Sequence, residues 1–436
     1  YLGAIWAGGV AIGVNPRLPM SELAPIVEES EVRYLWTESA LAPSVSSTVA
    51  GLPGRPRVLA AGDALGDWSR TLAAAGAVLP SPRDPTDAAL WIGTSGTTGR
   101  SKGVVHTQGV TAPCGEFARQ ILGAGPEDRL YATSKLFFAY ALANSLFGGL
   151  RLGASVVLDS EWPMPERVLE MVDRHRPTIL FAVPTLYGKM LRTGIAKRLA
   201  DYPLRACVSA GEALPPAIRR GWRDANGMNI VSGYGTSETL VLMLYSDNDE
   251  GLAVPTPLTE VRPRGDAGPG IPHRIWVRHP CCAKGYWQRP EAQADGFADG
   301  WYSPGDTFLT RADGRLEFAG RNDDMLKISG QWVSTLWIEQ AILQDCGDLL
   351  QQVAATGVTT TEGLTVLAVL VVAVDGREDE ARRRVEAAIE TLPKHRRPRW
   401  VHWLKELPLT ATGKLQRSGL RRLHEQALAR VAKSGE

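Results

Sequence analysis

Short apolar runs alternate with helix-period stretches from Tyr1 to about Phe318, and that alternation leaves few folds open. ASVVLD, TILFAV and ACVSAG read as buried strands. PERVLEMVDRHR and TLYGKMLRTGIAKRL read as the helices between them. Strands joined through helices make a mostly parallel sheet covered on its faces, so the expected class is α/β. The Pro- and Gly-rich stretch 251–273 reads as a loop-dominated connection. Beyond the charged segment Gly320 to Lys327 the pattern changes to helix (IEQAIL), strand, strand (TVLAVLVVAV), helix (EDEARRRVEAAIETL) and strand (RWVHWL). A chain of 436 residues can hold more than one domain. The expected division is a large α/β domain over 1–320 and a small α+β domain over 328–436, joined through 321–327.

Charge and cysteine usage exclude several classes. Lys+Arg is 48 and Asp+Glu is 47, which gives no basic excess for nucleic acid and no polybasic membrane segment. The KHRRPR run from Lys394 reads as a solvated turn before a strand. Five cysteines lack metal-ligand spacing and fit a reduced, cytoplasmic setting. The apolar run from Leu364 is too short to span a bilayer and reads as a buried strand. No signal peptide is visible, and the opening YLGAIWAGGVAIGVN starts inside an apolar pattern, so an N-terminal part is expected to be missing and apolar surface to be exposed.

The chemistry is concentrated in a few loops that follow strands. TSGTTGRSKG, from Thr94 to Gly103, follows AALWIG. Its glycines permit a tight bend and close approach to a ligand, and its hydroxyls and Lys102 can donate to phosphate oxygens. It lacks the GK[ST] ending of a Walker A loop, and a segment of this composition alone is more often a flexible surface loop. SAGEALPP, from Ser209, offers small residues against which a flat ring can lie, or simply a helix start with Pro in its first turn. SGYGTSET, from Ser232, offers Tyr234 for stacking, the hydroxyls of Thr236 and Ser237, and Glu238. A carboxylate beside a polyphosphate suits Mg²⁺, although an acid at a helix start is also ordinary. GWYSPGDT places Asp306 after a turn, as an acceptor for ribose hydroxyls or as a plain turn acid, with Arg321 fifteen residues on. TATGKLQR places Lys414 in a Thr-rich loop of the small domain, where it is a deliverable point charge or a surface lysine.

In this order the motifs resemble the acyl-adenylate-forming superfamily of AMP-dependent synthetases and ligases, and the likeness runs the length of the chain. KLFFAYALAN, from Lys135, is similar to the benzoate-type aryl-CoA ligases. The resemblance implies an acid–thiol ligase that uses ATP, Mg²⁺ and CoA. A carboxylic acid, benzoate or a related aromatic acid, is first adenylated with release of pyrophosphate, and CoA then displaces AMP. It implies that Thr94, Ser95, Gly96, Thr97, Thr98, Gly99 and Lys102 cradle the β- and γ-phosphates. Gly211, Glu212, Ala213 and Tyr234 flank adenine, Thr236 binds the α-phosphate, Glu238 holds Mg²⁺, and Asp306 and Arg321 hold ribose. Lys414 serves the first half-reaction, Asp323 is the hinge, and Lys327 and Gly330 belong to the face used for thioester formation. Phe138, Ala139, Tyr140, Gly235, Leu240, Val241 and Leu242 would line an apolar acyl pocket with Tyr140 as a polar-tipped wall. A homodimer would also fit the resemblance.

The chain departs from that pattern in several places. Val241 stands where benzoate-type ligases usually carry His, which opens the pocket to substituted or non-aromatic acids. Thr335 and Trp337 replace the usual Pro and Glu after Ser334, at the docking side of the small domain. The competing readings are an adenylating enzyme that loads a carrier protein, a non-aromatic acyl-CoA synthetase, and a non-enzymatic nucleotide-binding remnant.

Overall fold

The computed structural model describes residues 1–61, 72–95, 101–321, 325–328, 331–360, 364–409 and 415–434. The chain forms two compact units: Tyr1–Gly109 with Ala283–Pro290, and Val110–Cys282 with Glu291–Glu436.

In the first unit, strands Ala11–Gly13, Ala88–Ser95, Ser101–Thr107 and Gly285–Tyr286 form one sheet in that order. Its first pair is parallel and the rest antiparallel. The AALWIG strand therefore runs into a hairpin, with Gly93 opposite Gly103 and Thr94 opposite Lys102. Gly103 has no room for a side chain, because a Cβ would lie 2.9 Å from the Trp91 ring. Helices Met20–Ser30 and Ala42–Val49 bury Leu23, Val27, Val45 and Val49 against a parallel pair, Tyr34–Glu38 and Arg57–Ala61. Leu2, Trp6, Tyr34 and Trp36 are exposed.

The second unit carries the helix-connected sheet. Its strands run Val254–Pro255, Leu244–Ser246, Ile230–Tyr234, Ala206–Ser209, Ile179–Ala182, Arg129–Ala132 and Ser155–Val157. The last five are mutually parallel, and the first two are antiparallel additions. The expected strands ASVVLD, TILFAV and ACVSAG are all present. Helix Pro165–His175 buries Val168, Met171 and Val172 on one face. The second expected helix ends at Arg192 and restarts at Ile195, because Gly194 adopts φ +72°.

A second, antiparallel sheet contains Phe297–Ala298, Trp301–Tyr302, His273–Arg278, Asp306–Thr310 and Leu316–Arg321, with Glu260–Arg264 beside His273–Arg278. Stretch 251–273 thus holds a strand where a loop is expected. Its Pro263 is tolerated because this is an edge strand. The C-terminal elements follow the expected order: helix Thr335–Cys346, strands Leu350–Thr359 and Thr365–Ala373, helix Glu378–Thr391 and strand Trp400–Trp403. Ile338, Ile342, Val369, Val371, Val385 and Ala381 form their shared core. The apolar run from Leu364 is the central strand of this sheet, buried from Leu367 to Val372. Among the described residues no helix is long and apolar enough to cross a membrane.

Candidate active site

Three of the sequence motifs sit at strand ends of the second unit. Strand Ile230–Tyr234 ends at Tyr234, whose hydroxyl donates to Asp306 Oδ2 at 2.5 Å. The two residues lie 72 positions apart, on different sheets. Phe308 and Phe318 flank the Tyr234 ring at 5.2 and 5.8 Å. Burial and the neighbouring Asp306 carboxylate push the Tyr234 phenol well above its usual range, so it stays a donor. Asp306 and Arg321 are cross-strand partners, which brings the expected ribose pair together.

After Tyr234 the chain folds back on itself. Thr236 N–H donates to Thr239 Oγ1 at 3.0 Å, and that hydroxyl lies 3.0 Å from the Val241 carbonyl oxygen. Leu240 takes φ +65°, a left-handed conformation that costs a non-glycine residue about 1–3 kcal/mol. The turn is tight enough that a Cβ on Gly235 would lie 2.6 Å from the Val241 oxygen. Sequence reasoning gave Thr239 no role, yet it buckles this turn. Its position three residues after Thr236 is the signal for such a side-chain-to-backbone bond.

The turn leaves one group unsatisfied. Thr236 Oγ1 is shielded from solvent and has no hydrogen-bond partner among the described residues. A buried hydroxyl in that state costs about 1–3 kcal/mol, and a ligand oxygen would relieve it. Glu238, two residues on, is buried and supplies hard carboxylate oxygens of the kind Mg²⁺ takes alongside phosphate oxygens. The residues present therefore fit a nucleotide phosphate with its metal.

The SAGEAL segment follows strand Ala206–Ser209. Gly211 takes φ +86°, which bends the chain out of the sheet. The Glu212 carboxylate accepts from Thr185 Oγ1 at 2.7 Å, at the start of helix Pro184–Arg192. Its side chain is thus occupied by a neighbouring helix.

Two of the expected acyl-pocket residues, Tyr140 and Leu242, belong to one hydrophobic cluster. Tyr140 packs with Ala141, Phe181, Val208, Ala210 and Leu242. Val241 and Leu242 are buried, and Phe138 caps the short helix Ala139–Ala141. The next six residues, Leu142–Phe147, form a buried π-helical turn, a feature frequent at functional sites. One detail differs from the sequence reading. The Tyr140 hydroxyl donates to the Val208 carbonyl at 3.0 Å, a carbonyl it shares with Tyr187 at 3.1 Å. The polar tip is spent on the sheet, and Tyr140 turns an apolar ring to its surroundings.

In the first unit, Thr94 and Lys102 stand opposite one another at the mouth of the hairpin, and Lys102 Nζ lies 5.3 Å from the Tyr286 ring centroid. Gly96, Thr97, Thr98 and Gly99, together with the side chain of Ser95, lie outside the described residues, as do Asp323, Gly330 and Lys414. Lys327 is on strand Met325–Ile328, with Nζ 5.8 Å from the Trp332 ring centroid. Ser334 caps helix Thr335–Cys346 by accepting from Trp337 N–H at 3.2 Å, and Arg396 covers the Trp337 ring at 4.3 Å.

Residues 1–287 match the family model described as AMP-binding enzyme. The chain is 37% identical to the 3-hydroxybenzoate–CoA ligase of Aromatoleum sp. (strain CIB), over 97% of this chain and 84% of that protein. Its fold is similar to that of an anthranilate CoA ligase solved in complex with anthranoyl-AMP, with a TM-score of 0.87 and 28% identity over 98% of this chain and 85% of that one. It is similar also to a benzoate CoA ligase from Burkholderia xenovorans LB400, with a TM-score of 0.84 and 30% identity over 97% and 86% of the two chains.

Proposed function

The chain belongs to the AMP-binding enzyme family, and on that premise we propose that it is an ATP-dependent ligase joining an aromatic carboxylic acid to CoA. The observation that carries this reading is the Tyr234–Asp306 hydrogen bond, which locks two nucleotide motifs from separate sheets into one constellation beside the unpartnered Thr236 hydroxyl. The named activities of relatives at this level of identity, hydroxybenzoate and benzoate ligation to CoA, give the substrate class.

In the first half-reaction a carboxylate oxygen of the acid bonds to the α-phosphorus of ATP and the bond to pyrophosphate breaks. In the second, the CoA thiol attacks the acyl carbonyl, loses its proton, and AMP departs. Neither step needs a covalent enzyme intermediate. Both need a negatively charged centre held in line and partly neutralised. Thr236 donates to the α-phosphate, and Asp306 with Arg321 fixes the ribose. The backbone from Gly211 to Ala213 and the Tyr234 ring flank adenine. Mg²⁺ held at Glu238 would supply charge neutralisation on the phosphates. Thr94 to Gly99 with Lys102 takes the β- and γ-phosphates. Lys414, on the small domain that turns about Asp323, assists the first step only, and the Lys327–Gly330 face serves the second. Tyr140, Val241 and Leu242 give the acid an apolar enclosure. A cytoplasmic setting is the localisation to test for, and a homodimer is the assembly to test for.

The test is incubation with ATP, Mg²⁺, CoA and a panel of benzoate, hydroxybenzoates, aminobenzoate, phenylacetate, cinnamate and short fatty acids, read by mass. An aryl-CoA product is expected. Acyl-AMP without acyl-CoA would move the reading to carrier-protein loading. A fatty acyl-CoA alone would contradict the aromatic pocket.

A further inference from the structure

Between strands Ile230–Tyr234 and Leu244–Ser246 the chain makes a closed turn whose two ends have different duties. The strands pair through Tyr234 and Leu244, and Met243 N–H donates to the Tyr234 carbonyl at 2.8 Å. Thr236, at the entry of the turn, is the residue given to the α-phosphate. Val241 and Leu242, at its exit, belong to the proposed acid enclosure.

The side chain of Thr239 ties these ends together, and it is fully buried. Its Oγ1 accepts from Thr236 N–H at 3.0 Å. The single proton of that hydroxyl faces two carbonyl oxygens, Val241 at 3.0 Å and Thr236 at 3.1 Å. The Thr239 carbonyl accepts in turn from Val241 N–H at 2.7 Å. A β-branched side chain is stiff at χ1, so the hydroxyl keeps one place. Between the tied residues, Leu240 is held at φ +65°, and such strain persists only where the surroundings over-determine it. Entry and exit of the turn are therefore fixed at one spacing.

That spacing bears on the chemistry. Attack requires the carboxylate oxygen and the α-phosphorus to approach to about 3–3.5 Å in line. An acid whose ring rests against the exit residues must reach the phosphate beside the entry residue. A fixed turn suits one ring-to-carboxylate length. Benzoates carry the carboxylate directly on the ring, whereas phenylacetates insert a methylene.

We propose that Thr239 is a positioning residue that sets the spacing between the acid enclosure and the α-phosphate, and with it a preference for acids whose carboxylate is directly on the ring. This rests on the roles proposed above for Thr236, Val241 and Leu242. Thr239 itself touches no reacting atom.

The experiment compares the full chain with Thr239→Val, which removes the hydroxyl, and Thr239→Ser, which keeps it. Pyrophosphate exchange is read below each melting temperature with benzoate or 3-hydroxybenzoate, whichever the chain takes faster, and with the homologue one methylene longer. The unaltered chain should prefer the shorter acid by about 10-fold or more in kcat/KM. Thr239→Val should lower kcat/KM for the shorter acid by up to about 10²-fold and bring the ratio of the two acids towards one. Thr239→Ser should restore both. If Thr239→Val does not fold, Thr239→Cys takes its place, with a thiol that is only a weak donor and acceptor. A merely structural residue would change the amount of active protein, and activity with both acids would then fall equally. An unchanged ratio in Thr239→Val, or no preference in the unaltered chain, would overturn the inference alone. Exchange absent with every aromatic acid in the unaltered chain would remove the ligase reading, and the inference with it.

Discussion

Thr236 carries a hydroxyl that the folded chain leaves buried and unpaired, two residues from a buried glutamate and beside the Tyr234–Asp306 bond. Stability alone does not favour that arrangement. Thr236→Val keeps the shape and removes the unsatisfied group, so the melting temperature should hold or rise, by the equivalent of at most about 1–3 kcal/mol. If the hydroxyl donates to the α-phosphate, the same change should lower the adenylation rate by about 10²-fold, the usual loss for one donor to developing charge. Thermal melting and pyrophosphate exchange on the same sample check both halves. A fall in stability with unchanged exchange would make Thr236 structural. This pairing of buried orphan and buried acid was only half legible in the sequence. GYGTSET announces the residue types, but whether a hydroxyl is satisfied depends on how the turn closes through Thr239 and on the left-handed Leu240.

The parallel sheet shows how elements are fixed where their sequence signals are weak. Asp128 sits just before strand Arg129–Ala132 and accepts from Arg205 at 2.7 Å, from Thr178 Oγ1 at 2.7 Å and from Gly125 N–H at 2.9 Å. Thr178 and Arg205 each immediately precede the next strands, Ile179–Ala182 and Ala206–Ser209. One carboxylate thus aligns the starts of three strands. The Arg205 guanidinium, helped by Thr178 and Gly125, holds the Asp128 carboxyl at about 2, below the value of about 3.9 it has when unfolded. A depressed carboxyl stabilises the fold above the unfolded value, and that stability fades as pH falls from about 3.9 through about 2. Denaturant midpoints should therefore drop over that window, and Asp128→Asn should show a smaller drop from a lower starting point. An identical acid profile in the variant would deny Asp128 this part. None of this was visible in the pattern of apolar runs. That pattern located the strands because β-branched and aromatic residues cluster where both faces are buried. It did not show the return strand Ser101–Thr107, whose polar Lys102 and His106 break the apolar run, or the strand Glu260–Arg264, hidden by Pro263 and flanking glycines. It also ran one helix through Gly194, where the positive φ ends it.

For the molecule as a whole, the order of motifs carried more than any single one. The chain's membership in the AMP-binding enzyme family was readable because its motif-bearing loops follow strands in a fixed succession. The structure adds which side chains are free to do so: Glu212 and the Tyr140 hydroxyl are committed to a helix start and to the sheet, whereas the Thr236 hydroxyl is not. Val241 and Leu242 are buried, and in the proposed acyl pocket they would favour a flat, uncharged ring on the acid. The most direct measurement is exchange of labelled pyrophosphate into ATP by the full chain with Mg²⁺, without CoA, in the presence and absence of benzoate or hydroxybenzoate. Exchange that requires the aromatic acid is expected, because adenylation is reversible and precedes the thiol. Exchange absent with every aromatic acid, in protein shown to bind ATP, would contradict an aryl-adenylate-forming enzyme.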